Sequence, residues 1–207
     1  MPDRIFVTGT DTGIGKTVVS ALLMIQNPGF VYWKPIQSGL EEPTDTQSVK
    51  QLASLSENRI IPEAYQLVEP RSPHESAAME GITIEMNQLK IPSLAENKPL
   101  IIEGAGGLMV PINDRCMMID LISFYKASVI LVARSGLGTL NHTFLSLEAL
   151  RKRNIPIKGI VLNGEKHPSN KKTIAEVSQI PILAEIEPVF PLTFNSLKKT
   201  HFPGLVL

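Results

Sequence analysis

The chain has 207 residues, of which 43% are hydrophobic, which is enough for one domain, residues 1–207, with a sizeable core. Twenty basic and twenty acidic residues balance, which argues against a nucleic-acid or anionic membrane partner, because either would require a basic excess or cluster. Cys116 is the only cysteine, which excludes an intramolecular disulfide and a metal site of several cysteines. The longest apolar runs, such as Val129 to Ala133, are far too short to span a bilayer, and no apolar leader precedes the first strand. We therefore expect a cytoplasmic protein whose partners are small molecules or a second copy of itself.

Strand and helix patterns alternate along the chain. The predicted strands are mostly continuous apolar runs: Ile5–Val7, Phe30–Trp33, Leu100–Glu103, Val129–Val132, Ile157–Leu162 and Ile182–Ile186. The predicted helices lie between them, at Lys16–Ile25, Asp45–Leu55, Thr139–Arg153 and Ser169–Ser178. Strands of this kind are buried on both faces, so the sequence predicts an α/β fold with a single doubly wound, mostly parallel sheet and helices on both faces. Ligands of such folds bind beyond the carboxyl ends of the strands.

Two stretches lack regular patterns. The segment from Ile60 to Ser76 contains three prolines, and the stretch from Pro188 to Leu207 has only weak signals. Long irregular segments in a compact domain are more often functional loops than accidents. We therefore expect a functional loop at 60–76.

The first strand leads into a Gly- and Thr-rich turn, Gly9-Thr10-Asp11-Thr12-Gly13-Ile14-Gly15-Lys16-Thr17, which opens the first helix. A strand, such a loop and a helix in this order are typical of a phosphate-binding loop. Glycines let successive N–H groups point inward, and the helix start adds partial positive charge. Lys16 is expected to reach the β- and γ-phosphates, and the Thr17 hydroxyl to ligate Mg²⁺. The loop is a variant, because the usual first glycine falls on Thr10.

Charged residues follow the next two central strands. Lys34, at the end of the second strand, could neutralise charge on a transferred phosphoryl group, although a solvated surface lysine is the alternative. Glu103 ends the third strand, where an acidic residue holds magnesium in nucleotide-hydrolysing folds; a solvated or helix-capping carboxylate is the alternative. The glycines after Glu103 allow a ligand to approach the backbone. On the sequence alone, Asp45 is a helix-start carboxylate.

Five segments, taken in order, resemble the dethiobiotin synthetase family over nearly the whole chain. They are Gly9-Thr10-Asp11-Thr12-(x)₂-Gly15-Lys16-Thr17, Lys34-Pro35-(x)₂-Ser38-Gly39, Ser72-Pro73-His74, Glu103-Gly104-Ala105-Gly106-Gly107 and Gly138-(x)₂-Asn141-His142. That family closes the ureido ring of dethiobiotin from 7,8-diaminopelargonate, CO₂ and ATP with Mg²⁺. The resemblance implies a P-loop NTPase-like ligase of biotin biosynthesis, working through a carbamate and a carbamic-phosphoric anhydride. It also implies a homodimer with the substrate site at the interface.

The resemblance further implies roles for individual residues. Lys34 is the catalytic lysine and Lys16 supports it. Thr12 and Ser38 contact the diamine end of the substrate, and the helix start at Gly138 and Asn141 holds its carboxylate. The metal lies among Thr17, Asp45 and Glu103. The nucleotide contacts Gly13, Ile14, Gly15, Lys16, Thr17, Val18, Asp45, Glu103, Gly104, Ala105, Gly106, Asn163, Gly164, Glu187, Pro188 and Val189.

Two rival functions use the same broad fold. A partitioning or positioning ATPase would use nucleotide to dimerise on a surface, but its signature lysine would fall where Asp11 stands. The lack of a basic patch or amphipathic tail also counts against it. An amidotransferase-type synthetase acting on cobyrinate normally carries a glutamine-hydrolysing domain, for which 207 residues leave no room.

Overall fold

The computed structural model describes residues 2–95 and 97–207. Its strands are β1 (Arg4–Gly9), β2 (Val31–Trp33), β3 (Ile36–Ser38), β4 (Ile60–Ile61), β5 (Tyr65–Leu67), β6 (Leu100–Gly107), β7 (Ser128–Arg134), β8 (Ile157–Asn163) and β9 (Ile182–Ile186). Its helices are α1 (Lys16–Gln26), α2 (Asp45–Ala53), α3 (Pro73–Met79), α4 (Met118–Tyr125), α5 (Thr139–Lys152), α6 (Pro168–Ser178) and α7 (Phe194–Lys198). Within the described ranges, no helix is both long and apolar enough to cross a membrane.

The chain begins near the middle of a seven-stranded sheet and winds outward in both directions. The strand order is β4-β2-β6-β1-β7-β8-β9, and the paired strands run parallel. On β1, Val7 lies opposite Glu103 of β6 on one side and Ile130 of β7 on the other. In open α/β sheets the ligand crevice lies where the winding direction changes, outside the carboxyl ends of the strands. This places the candidate site at the end of β1.

Alternate side chains of β1 pack on opposite faces of the sheet. Ile5 and Val7 join a hydrophobic cluster with residues of α1, α2 and α7. Phe6 belongs to a second cluster with residues of α4, α5 and α6. Because both faces are covered, the central part of this strand, Ile5–Val7, is apolar without interruption.

The predicted fold class is confirmed. All six predicted strands are present, as β1, β2, β6, β7, β8 and β9. All four predicted helices are present, as α1, α2, α5 and α6, with ends within two residues of those expected.

The expectation of an irregular 60–76 segment is wrong in part, because this segment contains β4, β5 and the start of α3. β3 and β5 form a separate two-stranded parallel sheet. Strands of two or three residues have too few positions to show a hydrophobic period. The prolines in this segment also argued against strands, because proline cannot donate a ladder hydrogen bond. Helices α4 and α7 were not predicted either. Helix α7 is only five residues long and is capped by the Thr193 hydroxyl, which accepts from the Ser196 N–H.

Candidate active site

The loop between β1 and α1 has the backbone geometry of a phosphate-binding loop. Gly13 and Gly15 have φ values of 67° and 97°, a region that favours glycine. A Cβ atom at Gly15 would also clash with the side-chain amide of Asn163, the last residue of β8. Lys16 is buried, and its Nζ donates to the Asp11 carbonyl at 3.1 Å. The lysine therefore lies folded across the loop that it follows.

Three oxygen-bearing side chains meet at the start of α1. The Thr17 hydroxyl oxygen lies 2.9 Å from Asp45 Oδ1 and 3.0 Å from Glu103 Oε1. Asp45 is the first residue of α2, whose start is fixed by a capping box between Thr44 and Gln47. Glu103 is 1% exposed. The fold thus places one carboxylate from β6 and one from α2 against the same hydroxyl.

Lys34 lies against the same two carboxylates. Its Nζ is 2.7 Å from Asp45 Oδ2 and 3.5 Å from Glu103 Oε1, and its side chain is 3% exposed. Burial acts to lower the pKa of Lys34, but Glu103 and Asp45 outweigh burial and leave this pKa above its ordinary value. For Asp45, burial acts to raise the pKa, but Lys34 outweighs it and the pKa lies below its usual range. Both groups of this pair are therefore charged at neutral pH.

Lys16 has a different electrostatic setting. Burial lowers its pKa, and the attraction of Glu103 offsets this only in part, while Lys34 adds repulsion. A buried ammonium with few neutralising partners is suited to bind phosphate oxygens, because these would supply the missing negative charge.

These groups line a cavity of about 430 Å³. The predicted site residues that line it are Thr12, Gly13, Ile14, Gly15, Lys16, Thr17, Lys34, Ser38, Asp45, Glu103, Ala105 and Gly106. The phosphate loop, the strand-end lysine and the two carboxylates therefore share one space.

Other predicted nucleotide-contacting residues are not among those that line the cavity. The Asn163 amide donates to the Ile14 carbonyl at 2.9 Å, and so holds the phosphate loop against β8. The next residue, Gly164, donates its N–H to the Ile186 carbonyl at 2.8 Å. Glu187 forms an exposed ion pair with Lys166 at 2.7 Å. The other members of this group are Val18 in α1, Gly104 in β6, and Pro188 and Val189 after β9.

The two residues predicted to hold the substrate carboxylate lie outside the cavity described above. Gly138 caps the N-terminus of α5 with a φ of 87°, and Asn141 is in the first turn of this helix. Leu137, just before them, is 97% exposed. This helix start is therefore open to solvent or to a partner.

Several cavity residues were not among the predicted site residues. Pro70, Arg71 and Ser72 line the cavity from the loop before α3, and Pro73, the first residue of α3, also lines it. This loop is anchored, since the Ser76 hydroxyl donates to the Glu69 carbonyl at 2.8 Å. The Ser72-Pro73-His74 motif identified this loop through the family resemblance, but no sequence pattern identified Pro70 or Arg71 as cavity residues.

Two further contacts at the site were not expected. The Tyr32 hydroxyl donates to Glu103 Oε2 at 3.1 Å. Asp11 accepts from Arg134 at 2.7 Å. The carboxylate at position 11 is thus held by a cation of β7.

The chain matches known proteins over most of its length. The sequence profile of a family described as an AAA domain matches residues 3–196. A protein named ATP-dependent dethiobiotin synthetase BioD from Nitrobacter hamburgensis is 45% identical over 207 residues, which cover 100% of this chain and 96% of that protein. A protein of the same name from Brucella melitensis is 49% identical over 194 residues, covering 91% of this chain and 90% of that protein.

Solved structures show the same fold at low sequence identity. A ParA family ATPase from Chlorobium tepidum superposes with a TM-score of 0.60 at 14% identity, covering 95% of this chain and 96% of that one. The septum site-determining protein MinD from Pyrococcus horikoshii, complexed with Mg-ADP, has a TM-score of 0.58 at 14% identity, covering 100% and 95%. These structures establish the P-loop NTPase-like fold, whereas the close sequence relatives establish the family. The chain belongs to the family of ATP-dependent dethiobiotin synthetases.

Proposed function

We propose that this protein closes the ureido ring of dethiobiotin from 7,8-diaminopelargonate and CO₂, converting ATP to ADP and phosphate. The observation that carries the proposal is the cavity in which the phosphate loop, Lys34 and two carboxylates meet. The family assignment supports the same reaction, since the relatives bear this enzyme's name. The proposal includes one domain over residues 1–207 and a cytoplasmic location, where ATP is supplied.

The phosphate loop would hold the triphosphate of ATP. Backbone N–H groups of residues 13–18 would surround the phosphates at the start of α1. Lys16 would exchange its bond to the Asp11 carbonyl for phosphate oxygens. Residues 104–106 would border the nucleotide, and Asn163, Gly164 and residues 187–189 would border its base. The hydrogen bond from the Asn163 amide to the Ile14 carbonyl supports this base site, because it places Asn163 directly against the phosphate loop.

Thr17, Asp45 and Glu103 would hold Mg²⁺, and their chemistry fits this ion. All three provide oxygen atoms, and Mg²⁺ usually binds one or two carboxylates together with water and phosphate oxygens. Among residues 2–95 and 97–207, no group of three or more His, Cys, Asp or Glu side chains is placed to hold a metal ion, so further ligands would have to come from nucleotide and water. The Lys34 ammonium already lies against both carboxylates and neutralises part of their charge, so the phosphate oxygens of the nucleotide would have to supply further negative charge for Mg²⁺. When bound, Mg²⁺ would neutralise phosphate charge.

The reaction would take place in three bond-forming steps. One amine of the substrate attacks CO₂, forming a C–N bond and a carbamate. A carbamate oxygen then attacks the γ-phosphorus, and the bond to ADP breaks. Finally the second amine attacks the carbamate carbon, closing the ring and expelling phosphate. Thr12 and Ser38 would orient the diamine, and both line the cavity.

Lys34 and Lys16 would provide the catalytic charge. Phosphoryl transfer depends mainly on positioning and on stabilising charge at the transferred group. Lys34 is charged and buried, so its field is screened little by water. Its position beside the metal-binding carboxylates would direct it to the γ-phosphoryl group.

A homodimer would complete the substrate site. The helix start at Gly138 and Asn141 suits the substrate carboxylate because helix N-termini attract anions, but it lies outside the cavity of its own chain. A second copy could bring it to the cavity. Leu137, Leu145 and Met109 support an interface here, since each is an apolar side chain more than half exposed.

Phosphate release tests the proposal. Wild-type protein is incubated with ATP, Mg²⁺ and bicarbonate, with and without 7,8-diaminopelargonate, and the product is identified by mass. We expect release that depends on the diamine and yields the cyclic urea. Phosphate release that is independent of the diamine would instead favour a nucleotide switch of the partitioning type.

A further inference from the structure

Tyr32 lies behind the cavity, in the middle of β2. Its side chain is fully buried, and its hydroxyl donates to Glu103 Oε2 at 3.1 Å. A buried tyrosine hydroxyl needs a hydrogen-bond partner, and here that partner is a carboxylate of the candidate metal site.

The two oxygens of Glu103 have separate partners. Oε1 faces the cavity, 3.0 Å from the Thr17 hydroxyl and 3.5 Å from Lys34 Nζ. Oε2 faces the protein interior and Tyr32. The last torsion of a glutamate is broad and roughly two-fold, so the strand alone does not determine the tilt of this carboxylate. The hydroxyl of Tyr32 supplies the missing constraint.

The register of the sheet explains why these side chains meet. Tyr32 of β2 lies opposite Ile101 of β6, and side chains two residues apart on a strand share a face. Tyr32 and Ile101 both pack in the hydrophobic cluster with α1, the helix that carries Thr17. Glu103, two residues beyond Ile101, points to the same side. The tyrosine is rigid because its ring is buried in this cluster.

We propose that Tyr32 is a positioning residue that holds Glu103 with Oε1 toward the divalent cation and so sets the affinity of the site for the metal. The identity of this cation rests on the proposed function. Hydrogen-bond partners behind metal ligands orient those ligands, and their loss typically lowers metal affinity roughly 10- to 100-fold.

The test compares two tyrosine variants. Tyr32→Phe removes only the hydroxyl, and Tyr125→Phe is the matched control, because the buried Tyr125 hydroxyl donates to the Leu89 carbonyl at 2.6 Å in the other hydrophobic cluster. Binding of Mn²⁺ in the presence of ADP is followed by electron paramagnetic resonance. We expect Mn²⁺ affinity to fall about tenfold or more in Tyr32→Phe and to stay at the wild-type value in Tyr125→Phe. Both variants should lose thermal stability.

A second readout separates positioning from general damage. The Mg²⁺ concentration that half-saturates diamine-dependent phosphate release should rise in Tyr32→Phe, while the rate at saturating Mg²⁺ stays within a few-fold of wild type. Wild-type Mn²⁺ affinity in Tyr32→Phe, or an equal loss in Tyr125→Phe, would overturn the inference. A wild-type protein without diamine-dependent release would instead refute the proposed function, and the Mn²⁺ result would still decide the role of Tyr32.

If Tyr32→Phe does not fold, two tyrosine analogues at position 32 test the positioning role instead. 4-Aminophenylalanine at position 32 retains a donor, whereas 4-methylphenylalanine fills the same volume without one. We expect the amino analogue to bind Mn²⁺ more tightly than the methyl analogue. Equal affinities would overturn the inference.

Discussion

Replacing Lys34 with methionine (K34M) removes the cation between the two carboxylates while keeping the length of the side chain. Removing one partner of a buried ion pair leaves an uncompensated charge, which costs about 3–5 kcal/mol. Glu103, at 1% exposure, cannot recover this energy from water, whereas Asp45, at 37% exposure, recovers part of it. The Thr17 and Tyr32 hydroxyls also remain beside Glu103. We therefore expect metal-free K34M to lose about 2–3 kcal/mol of unfolding free energy.

Urea denaturation measures this loss, and Mg²⁺ with ADP should restore part of it, because the ion provides charge to the same carboxylates. The expected fall in melting temperature is about 4–12 °C for a protein of this size. The control is K50M, since Lys50 pairs with Glu57 on the surface, where an ion pair contributes about 0–1 kcal/mol. Diamine-dependent turnover of K34M should fall roughly 10²- to 10³-fold, and that of K50M should not change.

Two outcomes would refute this reasoning. Near-normal ring closure by K34M would remove Lys34 from the catalytic role. Equal stability of K34M and K50M would mean that the buried carboxylates do not depend on the lysine for compensation.

Three further variants test the nucleotide site and the interface. Gly15→Ala should weaken ADP binding at least tenfold, measured by calorimetry, because its φ of 97° and the nearby Asn163 amide both oppose a Cβ; wild-type affinity would contradict this. Asn163→Ala should raise the ADP dissociation constant about 5- to 10-fold, since a bond worth about 1 kcal/mol to the Ile14 carbonyl is lost; an unchanged constant would show that this bond does not shape the loop. Leu145→Asp should dissociate the proposed dimer in sedimentation experiments with little loss of monomer stability, because Leu145 is 57% exposed, and a dimer that persists would place the interface elsewhere.

The main sheet was predictable because its strands are buried on both faces. Runs such as Ile5–Val7 and Val129–Val132 are apolar throughout, and the phosphate loop between a strand and a helix identified β1 as the strand at the site. Lys34 and Glu103 were predictable as site residues because each follows an apolar strand, and ligands bind beyond the carboxyl ends of parallel strands.

The remaining parts of the site depend on tertiary contacts that leave little trace in local sequence. Asp45 reaches Lys34 only because α2 begins beside α1, so on the sequence it is an ordinary helix-start carboxylate. A tyrosine at position 32 is compatible with a hydrophobic strand whether or not its hydroxyl donates to Glu103, so the strand pattern does not predict this hydrogen bond. Pro70 and Arg71 reach the cavity through the short β5, whose three residues are too few for a periodic pattern.

In the proposed reaction, the cavity closes a cyclic urea with the consumption of ATP. The most direct measurement incubates the protein with ATP, Mg²⁺, 7,8-diaminopelargonate and ¹³C-bicarbonate, and compares labelled product with released phosphate. We expect dethiobiotin that is one mass unit heavier than the unlabelled compound, formed in equal amounts with phosphate. Phosphate without labelled cyclic product would contradict this expectation.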